Sequence, residues 1–241
     1  MSRSAILKSS LAKKYWMALT GLFLCLFLAG HLAGNLQLLI PGVEGQFSFN
    51  EYALFMTSNP AVKLLSYVTY ISILFHAIDG VILTVRNAKA RPQKYAYNKP
   101  SANSAWASRN MGVLGTVMLA FIVTHMTNFW AKMHFSEMPF QTADPDGQIL
   151  EVPLRDLHTV VMDFFSPAEN SLALVAVILY VASMIAIGFH LSHGFQSGFQ
   201  SLGLKNAKYK KMIDVAGKAF SIIVPFLFAI IPIYLYVTQI G

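Results

Sequence analysis

The sequence predicts an all-α fold, a bundle of five transmembrane helices that forms one membrane-anchor domain over residues 1–241. Of these residues, 55% are hydrophobic and 12% are charged, and the mean hydropathy is +0.52. A soluble domain carries about twice that share of charged residues. The apolar residues are also gathered into five runs, and each is long enough to cross a hydrocarbon core of about 30 Å.

The five spans follow one another along the whole chain and leave little sequence outside them. A short basic segment, residues 1–14, comes first and is typical of segments that lie on an anionic membrane face. The spans are predicted at residues 15–40, 62–85, 110–131, 171–195 and 215–238. Residues 41–61 are predicted to form a loop. The longest connector, 132–170, is acidic and rich in proline, with a short interfacial helix predicted at 154–165.

The distribution of positive charge predicts the orientation of the spans. Fifteen of the eighteen Lys and Arg residues lie in the first basic segment, between spans two and three, or between spans four and five when Lys218 at the start of span five is included. Only Lys63, Lys132 and Arg155 lie on the other side. The positive-inside rule therefore predicts a cytoplasmic N-terminus and an external C-terminus. The net charge of +7 is explained by topology and gives no indication of nucleic-acid binding.

Each of the first four spans contains a histidine, and these are His31, His76, His125 and His190. An ionisable side chain inside a membrane is costly without a partner, so each is a candidate functional residue. At about 1.5 Å per residue, His31 and His125 both lie roughly 23 Å from the predicted cytoplasmic boundary. His76 and His190 lie in the opposite, inner half. Depth therefore predicts two pairs, His31 with His125 and His76 with His190.

Two imidazoles per site favour haem b over other metal centres. Zinc and non-haem iron need three or four protein ligands, and the spans offer few carboxylates and one thiol, Cys25. A porphyrin supplies four ligands of its own, so the sequence predicts two non-covalently bound haems. Glycines near the histidines would give the haems space: Gly30, Gly34, Gly80 and Gly194. The alternative is that the histidines hydrogen-bond across helices and the glycines permit close packing.

Other polar residues in or near the spans have more than one interpretation. His193 could replace His190 as the fourth ligand, or reach a haem propionate or the inner interface. Asp79 could orient His76 or accept a proton, or could pair with a neighbouring helix. His134 and His158, in the outer connector, are predicted to be solvated or interfacial.

The four histidine regions together resemble a known family, the two-haem cytochrome b subunit of succinate dehydrogenase and fumarate reductase, the single-chain membrane anchor of complex II. The regions are Gly30-His31-Leu-Ala-Gly-Asn35-Leu, Phe75-His76-Ala-Ile-Asp-Gly80, Thr124-His125-Met-Thr-Asn-Phe129 and Phe189-His190-Leu-Ser-His-Gly194. The resemblance extends over the whole chain, including the number and order of spans.

The resemblance implies a role in a respiratory complex of the bacterial cytoplasmic membrane. In that family the first and third spans hold the outer haem, and the second and fourth hold the inner one. A flavoprotein and an iron–sulfur subunit bind on the cytoplasmic face, and electrons pass between them and membrane quinone, often menaquinone. Succinate chemistry would belong to the partner subunits.

The resemblance also suggests where quinone would react. Electrons entering from the cytoplasm would make the outer pair, His31 and His125, the one nearer to quinone. Asn35 and Gln37 are polar residues close in sequence to that depth. Glu51 is the candidate proton-transfer residue, by analogy with an acidic residue of the family, and its alternative interpretation is a solvated loop carboxylate.

Two alternative functions remain open at this stage. A haem b anchor of another respiratory enzyme would share the four histidines, although their order and local motifs fit complex II better. A haem-free transporter belongs to a different class and would predict broken helices with paired polar groups at the midplane.

Overall fold

Long apolar helices make up most of the structure, which is all-α and polytopic as the sequence predicts. The computed structural model describes residues 10–90, 102 and 104–240. Five of its helices are long and apolar enough to cross a membrane, so the chain is a multi-pass membrane protein. They are α1 (Ser10–Asn35), α3 (Pro60–Lys89), α5 (Met111–His125, continued to Phe135), α7 (Ala173–Ser201) and α8 (Lys210–Val237). A short helix, α4 (Trp106–Arg109), precedes α5.

These helices coincide with the predicted spans and differ from them mainly at their ends. Helix α3 continues to Lys89, α7 continues to Ser201 and α8 already begins at Lys210. A helix can continue past the edge of the hydrocarbon core, because long basic side chains lay their apolar stems along apolar surface while their charged ends stay in water. Residues 10–14 of the predicted basic segment belong to α1, and residues 1–9 lie outside the described part of the chain.

The third spanning helix changes its winding directly after His125. Residues Met126–Ala131 form a π-helical segment, and Lys132–Phe135 form a final α-helical turn. A π-helical segment is wider than an α-helix and is often found at functional sites. The sequence prediction, which ended this span at residue 131, contained no signal for the change in winding.

The predicted loop at residues 41–61 is wrong, because most of it is a helix, α2 (Gly42–Ser58). A short 3₁₀ turn, Leu36–Leu39, ends α1, and Pro41 and Gly42 then turn the chain, with Gly42 at a φ of 75°. The buried face of α2 repeats every three to four residues, and its members are Gly45, Phe49, Asn50 and Ala53. Because two of these residues are small and one is polar, the helical repeat of the buried face does not show up as a repeat of hydrophobic residues.

A β-hairpin in the long connector was not predicted. Strand β1 (Phe140–Ala143) pairs with β2 (Ile149–Arg155) in antiparallel orientation. The turn between them is closed by the Asp144 side chain, which accepts hydrogen bonds from the backbone amides of Asp146 and Gln148. The sheet has only these two strands among the described residues and does not change the fold class.

The short helix predicted at residues 154–165 is present with a later start, and its interfacial position stays a prediction. Helix α6 covers Leu157–Phe165, and the first two predicted residues belong to β2. Asp156 ends the strand and caps the helix, because its carboxylate accepts a hydrogen bond from the backbone amide of Thr159. Leu157 and Val160 of α6 pack against a small core formed by Ala53 of α2 with Met133 and Met138.

The described chain divides into two compact units. Of the described residues, unit 1 contains 10–27, 68–90, 102, 104–119 and 186–223, and unit 2 contains 28–67, 120–185 and 224–240. Each of the five long helices contributes one segment to each unit. Unit 2 also contains α2, the hairpin and α6.

Candidate functional site

The first histidine pair lies within unit 2. The rings of His31, on α1, and His125, at the end of α5, have centroids 5.8 Å apart and planes at 85°. Phe228 of α8 lies 5.7 Å from the His31 ring on another side. One turn after His31, the Asn35 side-chain amide donates a 2.8 Å hydrogen bond to the His31 carbonyl oxygen. The two imidazoles therefore meet in a setting that is largely apolar.

Aromatic side chains surround His125. Phe121 stacks on its ring at 5.6 Å, and Phe129 and Tyr180 lie 5.4 Å and 6.1 Å away, edge-on or tilted. The Tyr180 hydroxyl accepts a hydrogen bond from Asn128, which lies in the π-helical segment. Rings of this kind supply flat apolar walls and exclude water from the imidazole.

The second histidine pair lies within unit 1. The rings of His76, on α3, and His190, on α7, have centroids 6.3 Å apart and planes at 61°. The Thr20 hydroxyl oxygen, from α1, is 3.1 Å from Nδ1 of His76. The same two pairs that depth predicted are thus the ones brought together, and their role as ligands remains a prediction.

The separation within each pair fits two ligands of one metal ion. Metal–imidazole bonds are about 2.0–2.1 Å long, so two rings that share an ion have centres roughly 6 Å apart. Rotation about the bond axis leaves the angle between the ring planes free, so 85° and 61° are both acceptable. In the described part of the chain, no three His, Cys, Asp or Glu side chains cluster to hold a metal ion. A centre built here would take its other ligands from a cofactor.

Unsatisfied ring nitrogens add to this fit. Nδ1 of His125 and Nδ1 of His190 are buried and have no hydrogen-bond partner among the described residues. A buried polar atom without a partner costs about 1–3 kcal/mol, and one such atom lies in each pair. The residues present therefore fit a group that binds between the two imidazoles of each pair, as a haem would.

The glycines near the histidines do not all serve the role that the sequence suggested. Gly34 packs against the Tyr52 ring of α2, where an added Cβ would lie 2.8 Å from the Tyr52 Cζ atom. The absence of a side chain at Gly34 therefore makes room for the Tyr52 ring, and not for a haem. A Cβ on Gly30 would meet nothing within 4 Å, and one on Gly194 would lie 3.9 Å from the His190 ring. These two positions do leave room next to a histidine.

Gly21 is a glycine of the site that the sequence prediction missed. A Cβ there would lie 3.0 Å from Cε1 of His76, so only glycine lets the imidazole lie this close to α1. Gly21 is far from His76 in sequence, and no spacing rule connects the two. A contact of this kind becomes visible only when the packing of the two helices is known.

Three further polar residues singled out in the sequence, Asp79, His193 and His134, lie in three different environments. Asp79 is buried and forms a 2.8 Å ion pair with Lys13 of α1. Of its predicted roles, this contact corresponds to pairing with a neighbouring helix. His193 does not take the position beside His76 that His190 occupies; it lines a polar cavity of about 250 Å³ with Ser192 and Gln196. His134 is exposed, and its ring stacks on Trp130.

His158 is not fully solvated, which was one of its two predicted alternatives, and the other alternative, an interfacial position, stays a prediction. Its ring is half-buried against Phe49, with centroids 6.1 Å apart. Burial lowers the pKa of His158 below its ordinary value, and the negative charge of Asp156 opposes this shift. The imidazole is therefore a packing element of unit 2.

A buried polar network lies beside His158 and was not predicted. Asn50 is 1% exposed, and its side-chain amide donates to Gln141 at 3.0 Å and to Asp156 at 2.8 Å. Gln46 also donates to Asp156 at 2.7 Å, and the Asn50 side-chain oxygen accepts from the His158 backbone amide. The network joins α2 to the hairpin and to α6. A sequence offers no signal for it, because isolated Asn and Asp residues in a connector are usually solvated.

Glu51 stands next to this network but outside it. Its side chain is exposed on α2, and it has no hydrogen-bond or ion-pair partner among the described residues. Asn35 contacts the His31 ring, with its amide nitrogen 3.4 Å from Nδ1. Gln37 lies half-buried in the 3₁₀ turn that follows α1. All three residues belong to unit 2, as His31 and His125 do.

The fold and the two sites define a multi-pass α-helical membrane protein with one histidine pair in each of its compact units. No family model, curated protein or solved structure matches the chain. The chemistry of these residues is therefore what indicates a function.

Proposed function

We propose that this protein is a two-haem cytochrome b, the membrane anchor of a succinate:quinone oxidoreductase or fumarate reductase of the bacterial cytoplasmic membrane. The single observation that carries the proposal is the presence of two histidine pairs, one within each unit, with ring centroids 5.8 and 6.3 Å apart. The haem assignment is supported by this spacing, by the unsatisfied nitrogens and by the lack of a third protein ligand among the described residues. The assignment to complex II is supported by the order of the histidine motifs along the chain.

His31 and His125 would hold one haem, and His76 and His190 the other. When bound by two imidazoles, haem iron supplies reversible one-electron transfer, with a potential that its ligands and surroundings tune. The chain itself supplies orientation and shielding. Phe121, Phe129 and Tyr180 keep water from the ring of His125, and Thr20 and Gly21 hold the ring of His76.

The charge distribution supports docking of a cytoplasmic partner on the side of unit 1. Ten of the thirteen Lys and Arg residues that the structure describes belong to unit 1, and the other three are Lys63, Lys132 and Arg155 of unit 2. An iron–sulfur subunit bound there, together with its flavoprotein, would exchange electrons with the His76–His190 site. Anionic membrane lipid would contact the same charges.

Glu51 is the proposed proton-transfer residue for quinone, which we take to be menaquinone. It is an exposed carboxylate of unit 2, the unit that holds His31 and His125, and quinone reduction consumes protons. The Glu51→Gln variant should lose quinone reactivity while keeping both haems and succinate oxidation with an artificial acceptor. Glu44→Gln, at an exposed position of the same helix, is the matched control. Unchanged quinone turnover in Glu51→Gln would remove Glu51 from the mechanism.

Substitution of single histidines tests the haem assignment. Alanine in place of His31 or His125 should remove chiefly one haem, and alanine in place of His76 or His190 should remove chiefly the other, because each haem needs both imidazoles of its pair. Optical and electron paramagnetic resonance spectra of the purified variants would identify the haem that is lost. His134→Ala, an exposed histidine outside both pairs, should retain both. Loss of the same haem from members of different pairs would contradict the assignment.

The proteins that copurify with the chain would distinguish complex II from another haem b enzyme. Isolation under conditions that preserve complexes should recover a flavoprotein and an iron–sulfur protein. Recovery of a hydrogenase or formate dehydrogenase subunit in their place would keep the haems and reject the complex II assignment.

A further inference from the structure

A threonine of α1 contacts the His76 ring from the neighbouring helix. The Thr20 side chain is only 9% exposed. Its hydroxyl oxygen is 2.7 Å from the carbonyl oxygen of Trp16, 3.3 Å from that of Met17 and 3.1 Å from Nδ1 of His76. Three polar atoms thus compete for one hydroxyl group.

The number of protons decides how these contacts are made. A hydroxyl group has one proton to donate, and a carbonyl oxygen can only accept. The short contact to Trp16 takes that proton, which leaves the hydroxyl oxygen as an acceptor toward His76. Nδ1 of His76 must then carry a proton, because an unprotonated Nδ1 would place two lone pairs against each other. The other ring nitrogen, Nε2, is left with its lone pair free to bind a metal.

Neighbouring contacts hold α1 and α3 in the register that this bond requires. Gly21 lets the His76 ring lie against α1, since a Cβ there would be 3.0 Å from Cε1 of the ring. Two turns before Thr20, Lys13 forms its 2.8 Å ion pair with Asp79, which lies one turn after His76. The residues of α1 that face α3 therefore share one side of the helix.

We infer that Thr20, seated beside Gly21, is a positioning residue that fixes the orientation and the tautomer of His76 and so presents Nε2 as the metal ligand. This inference rests on the proposed function for its consequence, the tuning of one haem. Because a hydrogen bond from the non-ligating nitrogen raises the basicity of the ligating one, the contact with Thr20 makes His76 a stronger ligand.

Valine in place of Thr20 tests the inference, because it keeps the shape of the side chain and removes the hydroxyl. In the purified full-length chain, Thr20→Val should weaken haem binding at the His76–His190 site by about 10- to 100-fold. It should also make the midpoint potential of that haem more positive, since a less basic ligand stabilises ferric iron less. Thr20→Ser retains the hydroxyl and should restore both properties.

Thr116→Val is the matched control. The Thr116 hydroxyl also donates to its own helix, to the Gly112 carbonyl oxygen at 2.9 Å, and it belongs to the same unit. This variant should leave both haems and both potentials unchanged. Equal behaviour of Thr20→Val and Thr116→Val, or an equal change of both haems in Thr20→Val, would overturn the inference.

Nitrogen-15 spectra of the His76 ring separate this inference from the proposed function. A wild-type chain without haem would reject the proposed function, yet the haem-free chain would still report the tautomer. A proton on Nδ1 of His76, with a resonance that shifts in Thr20→Val and returns in Thr20→Ser, supports the inference. A proton on Nε2 in the wild-type chain overturns it.

Discussion

Asp156 shows how much a single buried carboxylate can organise in this protein. It is 4% exposed and accepts four hydrogen bonds, from the backbone amide and the hydroxyl of Thr159 and from the amides of Asn50 and Gln46. Burial on its own would raise the pKa of Asp156, but these donors outweigh burial and hold the pKa below its ordinary value. The network is therefore built for the ionised carboxylate.

Acid should weaken this network. The pKa of Asp156 is lower in the folded chain, so its contribution to the free energy of unfolding is fully present above the ordinary Asp pKa of about 3.9 and is lost as the pH falls through the folded value. The Asp156→Asn variant replaces one carboxylate oxygen with an NH2 group that faces hydrogen-bond donors, so it should lose about 1–3 kcal/mol of stability at neutral pH.

Thermal unfolding followed by tryptophan emission between pH 7 and pH 3 would measure both effects. Part of the acid sensitivity of the wild-type chain should be missing in Asp156→Asn. Asp146→Asn, at an exposed turn position of the hairpin, provides the control and should behave as the wild type does. Equal acid sensitivity of Asp156→Asn and the wild type would contradict this role.

The sequence predicts the candidate site residues whose type is unusual for their surroundings, and it misses those whose role depends on packing between helices. A histidine in an apolar span is conspicuous because its polarity is costly there, and all four were found in this way. Thr20, Gly21 and Asn50 are ordinary residues for a helix, and their roles come from contacts with distant parts of the chain. No local pattern could have indicated them.

At the scale of elements, the long helices and the short helix α6 were predictable, whereas helix α2 and the β-hairpin were not. Twenty or more apolar residues have few alternatives to a spanning helix, since backbone polar groups must be satisfied inside the segment. Helix α2 and the β-hairpin have neither length nor strong periodicity, and their stability comes from docking on one another. Asn50 of α2 meets Gln141 of β1 and Asp156 at the start of α6, and that docking is a tertiary property.

The ion pair between Lys13 of α1 and Asp79 of α3 makes an element-scale prediction about how the two helices are fixed. Their side chains are 20% and 13% exposed, so each charge depends on the other. Removing one charge leaves the other unpaired in an apolar setting, which commonly costs about 3–5 kcal/mol in a buried pair. The two single substitutions should not be equivalent.

Lys13→Met should destabilise the chain more than Asp79→Asn. A lone lysine near the start of a helix can extend its charge toward water, whereas the short Asp79 side chain cannot. The double variant Lys13→Met/Asp79→Asn should be more stable than Lys13→Met alone, as measured by the unfolding temperature in detergent. Additive effects of the two substitutions would show that the pair does not couple the helices.

On the scale of the whole molecule, the division into two units matches the division of the histidines. Each unit takes a segment from every long helix and holds one pair, His76 with His190 in unit 1 and His31 with His125 in unit 2. Most of the positive charge falls in unit 1, and the buried network around Asp156 falls in unit 2. The proposed function would use this asymmetry, with the charged partner at unit 1 and quinone at unit 2.

The haem content of the purified wild-type chain is the sharpest test of the two-haem proposal. A reduced-minus-oxidised spectrum, combined with chemical quantification of haem per polypeptide, needs no partner subunit and no substrate. We predict two non-covalently bound haems b for each chain, with the low-spin spectrum that two imidazole ligands give. One haem, or none, in a well-folded chain would contradict it.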